Sequence, residues 1–132
     1  MILLIMKSLT IIMKFEDFMK IKNKIGYCDN RFLGINKSGG HYVYIQNVNK
    51  NGTCDVNVMT SLEDSRANVN LHKIKHVRKG NTYSIPFYDA NFKLWTGVNK
   101  KPIRNVKISE IKNIGRKKIK RRHLFFIGKF LK

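Results

Sequence analysis

The clearest pattern of hydrophobic and polar positions lies in the first half of the chain. Tyr42 to Val48 alternates bulky apolar residues with polar ones, and Thr53 to Met59 alternates again. In the second run Val56 and Val58 fall on one side, Asp55 and Asn57 on the other. A period of two residues is the mark of a half-buried β-strand. Between the runs stands Asn49-Lys50-Asn51-Gly52. Asn and Gly tolerate positive φ, so this segment predicts an antiparallel hairpin. The second strand ends in Thr60-Ser61, and the polar run Leu62-Glu63-Asp64-Ser65-Arg66 follows. Hydroxyls at a strand end, beside a loop carrying both charge signs, suit a cap or a surface that faces a substrate.

The rest of the chain reads as short elements. Phe15, Phe18, Met19 and Ile21 recur at helical spacing, which predicts a short amphipathic helix over Phe15 to Ile25, ending near Gly26. Tyr27 to Ile35 reads as a strand and Asn36 to Gly40 as a flexible loop. In Asn68 to Arg78 the apolar positions are Val69, Leu71, Ile74 and Val77. Strict alternation fails there, leaving a bulged strand or a short helical turn. Lys79-Gly80-Asn81 is a turn, and Thr82 to Phe87 a strand stopping at Pro86. Asn91 to Val98 holds the only tryptophan, Trp95. After the basic turn Lys100-Lys101-Pro102, Ile103 to Ile108 alternates as a half-exposed strand. Ser109 would cap a short helix over Ser109 to Lys112. Many short strands with frequent Gly/Asn turns point to a mainly β (α+β) fold: a small, partly open barrel with one or two short helices.

Residues 1–13 form an apolar leader, too short for the roughly 20 residues of a membrane span. It lacks the flanks of a secretory signal. Met6 and Met13 are alternative starts to Met1, so the leader reads equally as a first strand, a frayed tail or a mis-called start. Residues 14–132 are expected to form one basic domain, with 116–132 as its basic C-terminal segment.

Charge narrows the function. The chain has 132 residues, with 27 Lys+Arg against 8 Asp+Glu, a net charge of +19. Such an excess repels itself in a compact state and calls for an anionic partner. Nucleic acid ranks first, an anionic membrane surface second and an acidic protein third. Two cysteines, Cys28 and Cys54, are too few for a disulfide framework and are expected as reduced cytoplasmic thiols. No Cys-x-x-Cys or paired-His spacing suggests a metal, and no motif suggests a cofactor.

The densest charge is Arg116-Lys117-Lys118-Ile119-Lys120-Arg121-Arg122-His123. Phosphate contacts there would release counterions and make binding salt-dependent. Tyr42, Tyr44, Phe87, Tyr88, Phe92 and Trp95 are interleaved with lysines. Most belong to the core; one or two, Trp95 foremost, would serve as platforms for unpaired bases. The four histidines, His41, His72, His76 and His123, sit in no nucleophile motif. Metal-free cleavage of RNA needs only a base for the ribose 2′-hydroxyl, an acid for the leaving oxygen and a cation for the phosphate. His41, Thr60, Asp64 and Arg66 would meet at one end of the hairpin if the adjoining loops fold together.

The order Gly-His, a Val/Ile-rich strand, Asn-x-x-Gly-x-Cys and a second strand ending in Thr-Ser resembles the core of MazF/PemK-like toxins. Ile103 to Gly115 resembles that family's late strand and its short connection to a terminal helix. The resemblance covers roughly residues 39–115. It implies an SH3-like barrel with flanking helices and a homodimer. It also implies metal-free cleavage of single-stranded RNA, and an acidic antitoxin bound over the basic groove. Thr60 matches the family's catalytic hydroxyl. The family's Gly-x-Arg-Pro is not kept: Tyr42 follows Gly40-His41, and Val43 stands where proline would be. The cationic role then falls to His41 or Arg66. The resulting expectation is His41 as acid/base, Thr60 orienting the scissile phosphate and Arg66 stabilising charge. RNA, or alternatively DNA, would lie on Arg104, Arg116, Lys117, Lys118, Lys120, Arg121, Arg122 and Trp95. The alternative is a non-catalytic nucleic-acid-binding protein of a phage or plasmid. A third reading is a peripheral membrane protein using the leader and the basic tail.

Overall fold

The computed structural model describes residues 19–64, 66, 68–86 and 92–132. The hairpin is its centre. Strands β2 (Gly40–Val48) and β3 (Thr53–Ser61) pair antiparallel, with Val43 opposite Val58 and Val48 opposite Cys54. At the turn Gly52 has φ +78°, and the Asn51 carboxamide accepts from the Thr53 hydroxyl at 2.6 Å. The register slips by one residue between Ile45 and Asn47. This bulge resets the alternation, so Val48 joins Val43 and Ile45 in the core and Asn47 stays outside.

Around the hairpin lie β1 (Ile25–Asp29), β4 (Thr82–Ile85), β5 (Thr96–Asn99), β6 (Ile103–Lys107) and β7 (Ile111–Lys112). The strand order is β4-β5-β3-β2-β1-β7, with β6 also on β3, and the sheet is not closed. Strand β3 has β2 along one edge. Its other edge serves β6 at Thr53 to Val56 and β5 at Met59 to Ser61. One apolar cluster packs Val43, Ile45, Cys54, Val56 and Val58 with Val106 and Ile108. The second packs Tyr44, Met59, Ile85 and Val98 with Ile127. Among the described residues there are two short α-helices, α1 (Leu71–Arg78) and α2 (Arg121–Phe130). The mainly β architecture with short flanking helices is therefore present. Among the described residues no helix is long and apolar enough to cross a membrane.

Several boundaries differ from the sequence expectation. Residues 1–18, and with them the leader and the start of the helix expected at Phe15, lie outside the described residues. Asn23 takes φ +68°, which no helix accommodates, and Ile25 opens β1 instead of closing a helix. The strand expected over Tyr27 to Ile35 stops at Asp29. The Asp29 carboxylate accepts the Arg31 N–H at 3.1 Å and starts a 3₁₀ turn over Asn30–Phe32. The broken alternation of Asn68 to Arg78 is helical: the Asn70 side chain caps α1 by accepting from Lys73 N–H at 3.1 Å. Ser109 caps nothing. A 3₁₀ turn over Ile108–Glu110 brings both Ile108 and Ile111 into the core, and Ile111–Lys112 returns to the sheet beside β1. Strand β4 ends at Ile85 before Pro86, which has no N–H to give; Phe87 lies outside the described residues.

Candidate functional site

The β2–β3 ladder runs no further than Val43–Val58. Beyond it β2 stays with β1, pairing Tyr42 with Tyr27 and His41 with Cys28. Strand β3 leaves with β5, pairing Thr60 with Gly97. The two strands part there, each held by a different neighbour. Alternation carries His41 onto the face of Val43, and Thr60 onto the face of Val58. Gly40 permits the close approach of β1 and β2: a Cβ there would stand 2.6 Å from the Cys28 carbonyl oxygen and 2.8 Å from the Tyr27 ring.

His41 is tied down from behind. Its Nδ1 lies 2.6 Å from Oδ1 of Asn30, a residue only 3% exposed. Asn30 Nδ2 donates to the Ser38 carbonyl at 3.4 Å, which sets the amide orientation. Oδ1 is then the atom facing His41, so Nδ1 carries the proton and Nε2 is left as the acceptor. Desolvation lowers the His41 pKa, and the charges of Lys73 and Lys37 lower it further. The imidazole is therefore neutral at physiological pH and able to take a proton.

Thr60 is held by a lysine. Lys73 Nζ donates to Thr60 Oγ1 at 2.6 Å and to the Ser61 carbonyl at 2.9 Å. The threonine oxygen accepts this bond, so its own O–H remains a donor. Lys73 shares the inward face of α1 with Ile74 and Val77, all half-buried, while Leu71 is 75% exposed. Burial lowers the Lys73 pKa, with Lys37 adding to the effect. A neutral base, a hydroxyl and an ammonium thus share one face of the parted strand ends, the ammonium bonded to the hydroxyl and acting by its charge on the base. This set suits the binding of a phosphodiester and the movement of a proton beside it.

Arg66 does not stand in this group. It lies in the exposed turn after β3, where its backbone N–H donates to Asp64 Oδ1 at 2.9 Å. Asp64 also accepts from the Asn68 N–H at 2.9 Å, and these bonds hold its pKa down. The cation on Thr60 is Lys73, and Asp64 shapes the turn. Arg104 is likewise elsewhere. It pairs with Asp55 at 3.3 Å, and Asp55 also accepts the Asn105 N–H at 3.1 Å. Asp55 is five residues back along β3 from Thr60, roughly 17 Å by strand rise. That pair fastens β6 near the hairpin turn.

No protein-family model matches the chain, and no curated protein matches it in sequence.

The opposite face of the same strand ends carries aromatic groups. Tyr42 meets Tyr27 edge-on at 5.3 Å and Phe92 at 5.1 Å between ring centroids. Lys117 Nζ stands 5.8 Å from the Tyr42 centroid and 5.3 Å from that of Phe92. A hollow of about 160 Å³ between Tyr42, Met59, Phe92 and Lys93 opens here. Arg116, Lys118 and Lys120 are exposed along the same segment as Lys117, and Arg121 and Arg122 along the first turn of α2. Trp95 is 37% exposed and sits over a separate hollow with Leu62, Val69 and Ile74. Its backbone N–H donates to Glu63 at 2.9 Å.

The two thiols and His123 serve packing. Cys28 and Cys54 are free but buried, and burial pushes their thiols up to about 11 and about 12, so both stay protonated. His123 is buried and bonded to the Tyr83 hydroxyl at 2.7 Å, a packing role between α2 and β4. Among the described residues no cluster of three His, Cys, Asp or Glu is placed to hold a metal.

Sequence reasoning missed Lys73 and Asn30. The signal for Lys73 was present: read as a helix, Asn70 to Arg78 places Lys73 one turn before Val77, on the apolar stripe. Asn30 gave no local signal, because its link to His41 spans a loop.

Proposed function

We propose that this chain binds single-stranded RNA and cleaves it without a metal ion. The observation that carries the reading is the Thr60 hydroxyl held by Lys73, whose charge also acts on the oriented His41 on the same face of the parted strands. His41 Nε2 takes the proton of the ribose 2′-hydroxyl, and the freed oxygen attacks the adjacent phosphorus. The Thr60 O–H and a Lys73 N–H donate to the phosphoryl oxygens as charge builds on them. The bond to the leaving 5′-oxygen breaks, and Lys73 supplies its proton; solvent then resets both residues. The products are a 2′,3′-cyclic phosphate and a 5′-hydroxyl. The reaction requires a 2′-hydroxyl, which selects RNA over DNA.

The basic segment from Arg116 to Arg122 and the Lys117 aromatic cluster support binding of the flanking strand. The same cationic surface suits an acidic antitoxin-like protein as a competing occupant. Protonated, buried thiols fit a reducing cytoplasm. A second reading, a nucleic-acid binder without cleavage, draws on one observation: no arginine stands after Gly40 in the pattern that the toxin resemblance requires.

Incubation of the full chain with a long single-stranded RNA under chelator tests both. Discrete fragments ending in cyclic phosphate, abolished by His41→Ala, support the first reading. Retention of intact RNA by both proteins leaves the second.

A further inference from the structure

A hollow of about 660 Å³, within the range of ligand pockets, opens over Val58 on the face of β3 that carries Thr60. Its floor is Val58, with Ile35 and Ile103 beside it. Val58 lies two residues from Thr60 on the same face of β3, about 7 Å along the strand. The walls are shared as well. Helix α1 supplies Lys73 to Thr60 and, three residues on, His76 to the hollow. The loop that supplies Ile35 also carries Lys37, whose charge acts on both His41 and Lys73.

The far wall offers directed polar groups. Asn99 Oδ1 accepts from the Thr82 hydroxyl at 3.2 Å, which turns its Nδ2 group into the remaining donor edge. The Asn99 backbone carbonyl is occupied by Asn57 Nδ2 at 3.0 Å. Lys100 also lines the hollow, while its ammonium stands 5.4 Å from the Phe130 ring centroid. Lys101, exposed on the turn before Pro102, is the rim cation.

We propose that this hollow is a nucleotide subsite, holding one unpaired base of the RNA next to the phosphate bound at Thr60. The base lies on Val58 between Ile35 and Ile103. Asn99 Nδ2 donates to a carbonyl of its edge, which favours uracil, cytosine or guanine over adenine. Lys101 takes the phosphate that follows. The inference rests on the RNA reading above, but it needs binding only and not cleavage.

The test uses the full chain carrying His41→Ala, so that RNA stays intact, and a short fluorescent single-stranded RNA containing 4-thiouridine. Asn99→Ala and Lys101→Ala, each added to this background, are expected to weaken binding about tenfold, the equivalent of one lost hydrogen bond or ion pair. Photo-crosslinks should fall in residues 76–82 and 99–103. Lys101→Glu at the exposed rim gives a variant that folds if Asn99→Ala does not, and it should weaken binding further. Unchanged affinity in the variants, with crosslinks confined to the Tyr42 and Lys117 side, would overturn the subsite while leaving RNA binding intact. An acidic peptide that loses affinity through the same substitutions, where RNA does not, would overturn it too. A parent that binds RNA but whose His41-bearing form never cuts it would instead count against the ribonuclease reading alone.

Discussion

Replacing Lys73 by methionine separates activity from stability. Methionine keeps the stem that packs on α1 beside Ile74 and Val77 and removes the ammonium. In the folded chain that ammonium donates to Thr60 Oγ1 at 2.6 Å and to the Ser61 carbonyl at 2.9 Å. Bonds of this charged kind stabilise by about 1.5–3 kcal/mol each. Against them stand the desolvation of Lys73 and the repulsion from Lys37, both read in its lowered pKa. The two sides offset, so the change in unfolding free energy is expected to stay within about 1 kcal/mol. The chemistry has no such offset. Removing one preorganised donor from the developing phosphorane costs about a hundred- to a thousandfold in rate, about 2.7–4 kcal/mol. The assay is single-turnover cleavage of an RNA oligonucleotide in chelator, run beside urea unfolding of the same preparations. A rate that falls only as the folded fraction falls would refute the reasoning, as would a Lys73→Met protein that cuts at the wild-type rate.

His41 sets the pH dependence: its folded pKa lies below its unfolded 6.5, so cleavage should rise with pH to a plateau with a midpoint under 6.5. The same shift acts on stability. As pH falls below 6.5 the unfolded chain takes up a proton that the folded imidazole resists, so this contribution to stability is lost from 6.5 down through the folded pKa. Urea titrations across that window check it. Asn30→Asp places a carboxylate on His41 Nδ1 and should move the rate midpoint upward, while Asn30→Ala should cost about 1–3 kcal/mol by leaving buried partners unbonded. Lys117→Ala, measured as affinity against salt, should reduce the slope by about 0.7 if that lysine meets a phosphate of a single strand. Gly40→Ala should lower the unfolding midpoint, because its Cβ would press on the Cys28 carbonyl.

The hairpin, its Asn/Gly turn, the mainly β class and the cationic balance were legible along the chain. These are local or additive properties. A two-residue alternation states which face is buried, and charges simply sum. The pattern also brought His41 and Thr60 toward one end of the hairpin, but the bulge between Ile45 and Asn47, which the alternation does not show, puts the two on one face. Which cation joins them depended on packing between distant segments. Arg66 is nearer to Thr60 in the chain, yet the Asp64 turn carries it to the surface. Lys73 arrives from a helix that packs with Ile74 and Val77 half-buried, an event governed by distant surfaces. The parting of β2 from β3 was equally invisible, since it depends on β1 and β5 each claiming one strand end. Pairing partners of an edge are set by long-range packing, and no period along the chain encodes them.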